Sequence, residues 1–172
     1  MEYNIYNFNL TNFIPIFNTC CVFGHRDMTF DKKDRELLYN LFEDMIVNKN
    51  IHVFLFGGFG DFDDFCHEII TELKKKYPNI KRVYVCEFYK YIEKPSKRPI
   101  WLKDEDYEVF EYFDMRYTGF YQRIYFRNCE IIDHSDFCVF CVDETAEYSG
   151  AKKALEYAKK KHKYYINIYN SA

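Results

Sequence analysis

Three short stretches combine residue types that together suit a phosphorylated ligand. Residues 55–64 read LFGGFGDFDD, in which three glycines are followed by three aspartates. Residues 24–27 read GHRD, and residues 149–150 read SG. Glycines let the backbone approach a ligand closely, and an arginine can grip a phosphate or carboxylate through two parallel hydrogen bonds. The sequence therefore contains the parts of an anion-binding site, although the aspartates suit a sugar or a base better than a bare phosphate.

Each of these residues also has a plainer interpretation. Arg26 either holds a phosphate or pairs with Asp27 or another acid of the same rim. His25 is a ligand contact, a general base or a histidine packed in a turn. Ser149 fits the N-cap of a helix, and the free backbone N–H groups of that helix turn would still favour an anion.

The carboxylates at the end of LFGGFGDFDD have two readings. Asp61, Asp63 and Asp64 fall in the first turn of a predicted helix, where acidic residues stabilise the helix start. Alternatively, one of them accepts hydrogen bonds from ribose hydroxyls, as acids do in many nucleotide sites. Asp61 and Asp63 are also the candidate catalytic carboxylates, should the protein be an enzyme.

The elements that must position these residues alternate along the chain. Apolar runs predict five strands, at 19–23, 51–56, 82–88, 137–142 and 164–168. Apolar residues recurring every three to four positions predict helices at 30–48, 61–76, 118–133 and 149–161. This order predicts the α/β class, with a single Rossmann-like domain whose mainly parallel five-stranded sheet is flanked by helices on both faces.

In such a sheet, ligands bind at the carboxyl edge, in a crevice where the strand order reverses. The candidate ligand contacts are therefore residues that follow the predicted strands, together with two arginines of the helix before the fourth strand: Gly24, His25, Arg26, Gly57, Gly58, Gly60, Asp61, Arg123, Arg127, Asp143, Ser149 and Gly150. Arg123 and Arg127 share a helix face because they lie four residues apart. They either reach the rim or are solvated.

Length and composition narrow the class of protein. The 172 residues suggest one domain, with an N-terminal extension at 1–18 and an irregular insertion at 89–116 near the site. The net charge of -3 gives no general electrostatic case for binding DNA or a membrane. No apolar run approaches the ~20 residues of a membrane span, and the N-terminus lacks a signal-peptide pattern. We therefore expect a cytoplasmic protein.

The seven cysteines indicate neither a disulfide framework nor a metal site. The count is odd, and no secretion signal accompanies it. Cys138 and Cys141 form a CxxC pattern inside a predicted buried strand, where residues three apart point to opposite faces. We expect buried thiols, no metal and no cofactor.

Taken together, the motifs resemble the SLOG superfamily. CCVFGHRD, LFGGFGDFD, RNCEIIDHSDFCVFCVD and SGAKKALEYAKKKHKYYINI occur in the order found in this Rossmann-like group. The group includes the LOG phosphoribohydrolases and the DprA-type DNA-processing proteins. The resemblance covers about residues 19 to 168 and is strongest to small stand-alone bacterial proteins similar to YpsA.

The resemblance implies a nucleotide-derived ligand on the rim, with phosphate near the glycine-rich turns. SLOG domains are also associated with bacterial conflict systems that sense NAD-derived or cyclic nucleotides. One departure concerns the GGxGTxxE motif of the phosphoribohydrolases, whose glutamate serves catalysis. Ala154 stands at that position, and Glu156 lies two residues on, about 200° further around the helix.

The sequence and the resemblance suggest two functions, one of a binding protein and one of an enzyme. The leading one is a nucleotide-binding protein that senses or sequesters an ADP-ribose-like, NAD-derived or cyclic nucleotide signal. The alternative is an N-glycosidic-bond hydrolase acting on nucleoside monophosphates or NAD-like substrates, with Asp61 or Asp63 as nucleophile or base and Arg26 on the phosphate.

The expected partner is thus a nucleotide-derived small molecule, and we expect no association with a membrane. DNA binding by analogy with DprA is the least favoured function because of the acidic balance, so a nucleic-acid partner is expected to be improbable. A homodimer or higher homo-oligomer is a further expectation, with the aromatic helix at 117–125 as its candidate interface.

Overall fold

The computed structural model describes residues 17–114 and 119–169. Residues 1–16, which make up most of the predicted N-terminal extension, lie outside these ranges, as do 115–118 and 170–172. Within them, six strands form one sheet: β1 (Thr19–Gly24), β2 (Val53–Phe56), β3 (Lys81–Val85), β4 (Val109–Glu111), β5 (Phe137–Cys141) and β6 (Tyr164–Asn167).

The sheet has the order β4-β3-β2-β1-β5-β6, and every neighbouring pair is parallel. The prediction of a parallel α/β sheet is confirmed, but the prediction of five strands is wrong. The extra strand, β4, lies inside the segment expected to be irregular. It is only three residues long and pairs with β3 at the sheet edge, with Val109 opposite Val83.

Five helices within the described ranges connect the strands: α1 (Lys32–Lys49), α2 (Asp61–Lys76), α3 (Lys90–Glu93), α4 (Phe120–Asp133) and α5 (Gly150–Lys160). Apolar residues of α1 and α2 pack on one face of the sheet, and those of α4 and α5 pack on the other. The helix pairs therefore bury both faces of the central strands, as the continuous apolar runs of the sequence predict.

Alternation along the strands distributes the core residues between these two layers. Cys20 and Val22 of β1 pack against α1 and α2, whereas Cys21 and Phe23 pack against α4 and α5. On β5, Cys138 and Cys141 likewise belong to opposite layers. All seven cysteines are buried free thiols, which agrees with the reading of the CxxC pattern as core.

We call the chain between β3 and β4 the 86–108 segment. It contains α3 and two short 3₁₀ turns at Pro95–Lys97 and Asp104–Asp106. The ring nitrogen Nε2 of His67 lies 2.7 Å from the carbonyl oxygen of Asp106, and Arg98 donates from Nε to the carbonyl of Tyr91 at 2.8 Å. The first contact fixes the segment against α2, and the second joins two parts of the segment.

In the described part of the chain, none of the helices combines the length and apolar character that crossing a bilayer demands.

Candidate functional site

A cavity of about 720 Å³ opens at the carboxyl edge of the sheet, between the turn that follows β1 and the start of α5, the helix that follows β5. Those two strands are neighbours in the sheet, with Gly24 paired to Cys141, although they are far apart in sequence. The strand order reverses between them, so the cavity occupies the position where open α/β sheets bind ligands. Its volume lies in the range of small-molecule sites.

The inner wall of the cavity is built around Arg127 of α4. Its side chain is only 2% exposed, which is rare for an arginine. Nη1 donates to the carbonyl of Gly57 at 3.1 Å, and Nη2 donates to Oδ1 of Asn128 at 3.1 Å. Nε has no hydrogen-bond partner and is enclosed. A buried N–H without a partner carries a desolvation penalty, so this guanidinium still has unused donor capacity.

A buried carboxylate balances this cation. Glu87 is 3% exposed, and its Oε2 lies 3.6 Å from Nη1 of Arg127. The hydroxyl of Tyr84 donates to the same oxygen at 3.3 Å. Burial and the neighbouring Glu87 raise the pKa of Tyr84, which keeps the phenol protonated as a donor. Glu87, which lies just after β3, therefore holds the Arg127 guanidinium in place.

Gly57 is the residue that leaves room for the guanidinium. A Cβ placed on Gly57 would lie 2.7 Å from Nη2 of Arg127, closer than van der Waals contact allows. Gly60 also cannot be replaced without strain. Its φ of 110° favours glycine, and a Cβ there would lie 2.7 Å from Cα of Arg26. The glycines of the LFGGFGDFDD stretch thus permit close packing of protein groups around the cavity.

Asp63 lines the cavity on the side of α2. It is 5% exposed, and its Oδ2 accepts a hydrogen bond from the backbone N–H of Gly58 at 3.0 Å. Burial raises the pKa of Asp63 to about 7, against the opposing effect of the Arg127 guanidinium and the turn N–H groups. This carboxyl can therefore exchange a proton near neutral pH while it holds the turn after β2.

Asp61 has a structural partner instead. Its Oδ2 accepts from the backbone N–H of Met28 at 2.8 Å, and its own N–H donates to the carbonyl of Arg26 at 2.9 Å. These two bonds fasten the turn after β1 to the start of α2. Asp61 does not line the cavity.

The turn after β1 supplies two further side chains. Arg26 is exposed and lines the cavity, with its guanidinium carbon 5.5 Å from the centre of the Phe59 ring. Among the described residues it forms no ion pair with Asp27 or another acid, so its charge is available to a ligand. His25 accepts from the backbone N–H of Asp143 through Nε2 at 2.8 Å, which ties the ends of β1 and β5 together.

The N-terminus of α5 forms the opposite wall. The hydroxyl of Ser149 caps the helix by accepting from the backbone N–H of Lys152 at 2.9 Å. A Cβ on Gly150 would meet nothing within 4 Å, so this first helical residue borders open space. The positive end of the helix dipole and its free N–H groups therefore face a region with room for an anion.

Aromatic side chains complete the wall, and the sequence reasoning did not identify them as site residues. Phe59, Tyr121, Tyr125 and Tyr148 all line the cavity. The ammonium group of Lys153 lies 4.4 Å from the Tyr148 ring centre and 5.8 Å from that of Tyr125. Tyr121 and Tyr125 fit the apolar stripe of α4, so their spacing alone could not separate wall residues from core.

The structure brings together most of the predicted site residues. Those that line the cavity are Gly24, His25, Arg26, Gly57, Asp63, Arg127, Ser149 and Gly150. Those that lie outside its lining are Gly58, Gly60, Asp61, Arg123 and Asp143.

The outlying side chains are engaged elsewhere. The guanidinium of Arg123 lies 5.5 Å from the centre of the Phe88 ring. Asp143 accepts from both the hydroxyl and the backbone N–H of Thr145, and these bonds lower its pKa. In the parts of the chain that the structure describes, no group of three His, Cys, Asp or Glu side chains is arranged to hold a metal ion.

Comparison with known proteins supports the fold and not a closer relationship. No family model and no curated protein sequence matches the chain. Among solved structures, DNA processing protein A (DprA) from Streptococcus pneumoniae matches with a TM-score of 0.56 and 15% identity. This match covers 89% of the present chain and 50% of that protein, so the chain spans about half its length.

DprA from Helicobacter pylori matches with a TM-score of 0.52 and 13% identity, over 96% of this chain and 77% of that one. That protein binds single-stranded DNA. The expectation that a nucleic-acid partner is improbable is therefore wrong, because it took the net charge as decisive, whereas this protein of similar fold binds single-stranded DNA. The chain has a Rossmann-like fold similar to that of DprA, as its resemblance to the SLOG superfamily predicts.

Proposed function

We propose that this protein binds a nucleotide unit, in the cavity between the ends of β1 and β5. The observation that carries the proposal is the pairing of two kinds of surface in one cavity. Cationic and N–H groups suited to phosphate face aromatic rings suited to a base. Sites for small molecules combine apolar walls with a few placed polar groups in this way.

The phosphate end is assigned to the start of α5 and to Arg26. Ser149 satisfies one of the early N–H groups of α5, and the others have no helical acceptor. Arg26 carries an exposed charge that no described acid neutralises. An anion placed beside Gly150 would meet the helix dipole without displacing any side chain, since that position borders open space.

The base end is assigned to the aromatic wall around Tyr125 and Tyr148. Tyrosine rings offer flat apolar faces to a nucleobase, and base–aromatic stacking tolerates any base. Asn128 lies in the same wall and is 8% exposed. Because its Oδ1 accepts from Arg127, its amide N–H groups are the part that can contact a base edge.

Two kinds of ligand carry such a unit. The resemblance to the SLOG superfamily favours a free nucleotide derivative, such as ADP-ribose, an NAD-derived compound or a cyclic nucleotide, which the protein would sense or sequester. The likeness to DprA favours a nucleotide within a single strand of DNA. Both present phosphate and base to the same two surfaces.

Substitution of Gly150 tests the phosphate end with little risk to the fold. Gly150→Asp places a negative charge at the first helical position, which suits the helix dipole but repels a bound phosphate. Gly150→Asn is the matched control, because it has nearly the same size without the charge. Two unit charges about 4 Å apart interact by roughly 4 kcal/mol at an effective dielectric constant near 20, so we expect at least tenfold weaker binding for Gly150→Asp.

Calorimetry with AMP, ADP-ribose, cyclic AMP and pentathymidylate provides the measurement. Wild type and Gly150→Asn should bind at least one of these probes, and Gly150→Asp should bind it more weakly. Equal affinity of the two variants, or no binding of any probe to the wild type, contradicts the proposal.

A second candidate function rests on Asp63. A carboxyl with a pKa near 7 inside the cavity is suited to general acid–base chemistry, and this would support N-glycosidic bond cleavage. Ala154, which stands in place of the catalytic glutamate of the phosphoribohydrolases, is buried and offers no alternative. Chromatography of AMP and NAD incubated with the protein would reveal released base. Turnover that survives Asp63→Asn, or no turnover by the wild type, excludes this role.

A further inference from the structure

Two buried carboxyl groups share one buried guanidinium at the inner wall of the cavity. Asp63 and Glu87 are both almost fully buried, as is Arg127. Glu87 contacts the guanidinium directly, with 3.6 Å between Oε2 and Nη1. Asp63 and Arg127 both line the cavity, and the positive charge of Arg127 favours the ionised form of Asp63. With both acids ionised, the three side chains carry a net negative charge, whereas a proton on either acid brings them to neutrality.

Asp63 is the acid of the two that can bind this proton near neutral pH. Glu87 has the direct contact with Arg127 and also accepts a hydrogen bond from the Tyr84 hydroxyl at 3.3 Å. Asp63 forms no direct ion pair with the described residues, and its Oδ2 accepts from the backbone N–H of Gly58 at 3.0 Å. Burial therefore outweighs its favourable contacts and raises the pKa of Asp63 to about 7.

The other titratable groups that face Asp63 do not supply a compensating charge. Tyr107 of the 86–108 segment and Cys66, one turn along α2, both interact with Asp63. Burial raises the pKa of each, so both remain uncharged near neutral pH. Asp64, the next residue of α2, adds a negative charge that further raises the pKa of Asp63. The opposing cation is Arg127 of α4, whose charge the other buried acid already shares.

An anion in the cavity acts on the Asp63 carboxyl through its charge. Asp63 lines the same cavity as Arg26 and the start of α5, where the proposed function places a phosphate. A negative ligand repels the ionised carboxylate and therefore favours the form that carries a proton. A cavity of about 720 Å³ is roughly 10 Å across, and two unit charges at that separation change an equilibrium constant about tenfold at an effective dielectric constant near 20.

We propose that an anionic ligand and a proton bind to this cavity together, with the proton on the carboxyl group of Asp63. The inference rests on the proposed function and adds a regulation of that site by pH. Below about pH 7 the carboxyl is neutral, and the charges of Arg127 and Glu87 balance each other. As the pH rises through 7 the carboxyl ionises, so an anion meets repulsion unless the carboxyl takes up a proton. The affinity for an anion therefore falls with rising pH.

Calorimetry with cyclic AMP and with ADP-ribose measures the proton directly. Neither ligand changes its own charge near neutral pH, so a proton that is exchanged belongs to the protein. Titrations at pH 7.5 in HEPES and in Tris, which differ in ionisation enthalpy, give the number of protons taken up. For a tenfold coupling we expect uptake of about half a proton per ligand at this pH, and an affinity that falls roughly fivefold to tenfold between pH 6 and pH 8.5.

Two variants assign the proton to a residue. Asp63→Asn keeps the size of the side chain and an oxygen that can accept from the N–H of Gly58, but it cannot bind the proton. It should lose the uptake and most of the dependence of affinity on pH. Asp61→Asn makes the same change two residues earlier, outside the cavity lining, and should keep the wild-type uptake. The wild-type measurement needs no variant, so the inference remains testable if Asp63→Asn fails to fold.

A histidine of the cavity wall is the competing site for the proton. Histidine is the side chain that most readily changes charge near neutral pH, and His25 also lines the cavity. Its Nε2 accepts from the backbone N–H of Asp143 at 2.8 Å, and a proton on that nitrogen would break this bond. A proton bound there would survive Asp63→Asn, so the variant separates the two sites.

The outcomes separate this inference from the proposed function. If a probe binds without proton uptake, or if Asp63→Asn keeps the uptake, the inference is overturned and the cavity proposal stands. If Asp63→Asn abolishes the uptake while Gly150→Asp and Gly150→Asn bind equally, the inference stands, and the phosphate does not lie at the start of α5 as the proposed function requires. No binding of either probe at pH 6 contradicts the proposed function and the inference with it.

Discussion

Replacing Arg127 with methionine probes the buried charge network that shapes the cavity wall. Methionine is shorter than arginine, but it keeps most of the apolar packing of the arginine stem. It removes the ion pair with Glu87 at 3.6 Å and the hydrogen bonds to Gly57 and Asn128. Both charged partners are almost fully buried, so water cannot replace the lost contacts.

The expected loss of stability follows from this burial. Removing one partner of a buried ion pair typically costs 3–5 kcal/mol, because the other charge remains buried and unpaired. The two lost hydrogen bonds belong to the same network and are contained in that figure. For a chain of this size, about 1 kcal/mol shifts Tm by about 2–4 °C. The variant should therefore unfold roughly 6–20 °C below the wild type.

Chemical denaturation followed by circular dichroism measures the difference, and two further variants sharpen it. Arg123→Met makes the same substitution one turn earlier, where no ion pair is lost, and should cost under about 1 kcal/mol. Adding Glu87→Gln to Arg127→Met removes the unpaired charge and should restore part of the loss, through a coupling of about 1–3 kcal/mol. A cost for Arg127→Met no greater than that for Arg123→Met would refute the reasoning.

Three other substitutions follow from the same geometry. Asp63 binds a proton in the folded protein up to about pH 7, whereas the unfolded chain releases it near pH 4. Its contribution to the free energy of unfolding therefore falls by up to about 1.4 kcal/mol per pH unit across that window and is constant above it. The stability of Asp63→Asn relative to the wild type should rise from pH 4 to pH 7 in urea titrations, and a flat difference would contradict the buried carboxyl. Gly57→Ala should cost about 1–3 kcal/mol through overlap with Nη2 of Arg127, and clearly less in an Arg127→Met background, as thermal unfolding can determine. Asp61→Ala should cost about 1 kcal/mol by releasing the N–H of Met28, whereas Asp61→Asn keeps an acceptor and should cost less; equal losses in urea titrations would argue against this bond.

Much of the fold follows from patterns that local sequence contains. The helix at Asp61–Lys76 matches its predicted range, because its apolar residues recur with the helical period and Gly60 precedes it. β4 has no such signal. Its three residues, VFE, become a strand only because the 86–108 segment returns them to the open edge of β3, and that return depends on contacts such as His67 with Asp106.

The two arginines of α4 show why the roles of site residues could not be predicted from the sequence alone. Their spacing places Arg123 and Arg127 on one face, but also about 6 Å apart along the helix axis. That distance separates a buried position beside Gly57 and Glu87 from a half-buried one beside Phe88. Glu87 and Phe88 both belong to the 86–108 segment, whose path no local pattern indicates.

The net charge misled the sequence interpretation because it counts every acid alike, whether or not its carboxylate accepts hydrogen bonds within the protein. Three carboxylates near the cavity accept hydrogen bonds from the backbone, Asp61 from Met28, Asp63 from Gly58 and Asp143 from Thr145, whereas Asp27 lines the cavity and is exposed. A carboxylate engaged with N–H groups repels an approaching phosphate less than a free one would. The cations Arg26, Lys90 and Arg123 form no ion pair with the described residues. They lie against the half-buried rings of Phe59 and Phe88. A total of -3 therefore does not by itself argue against a polyanionic ligand.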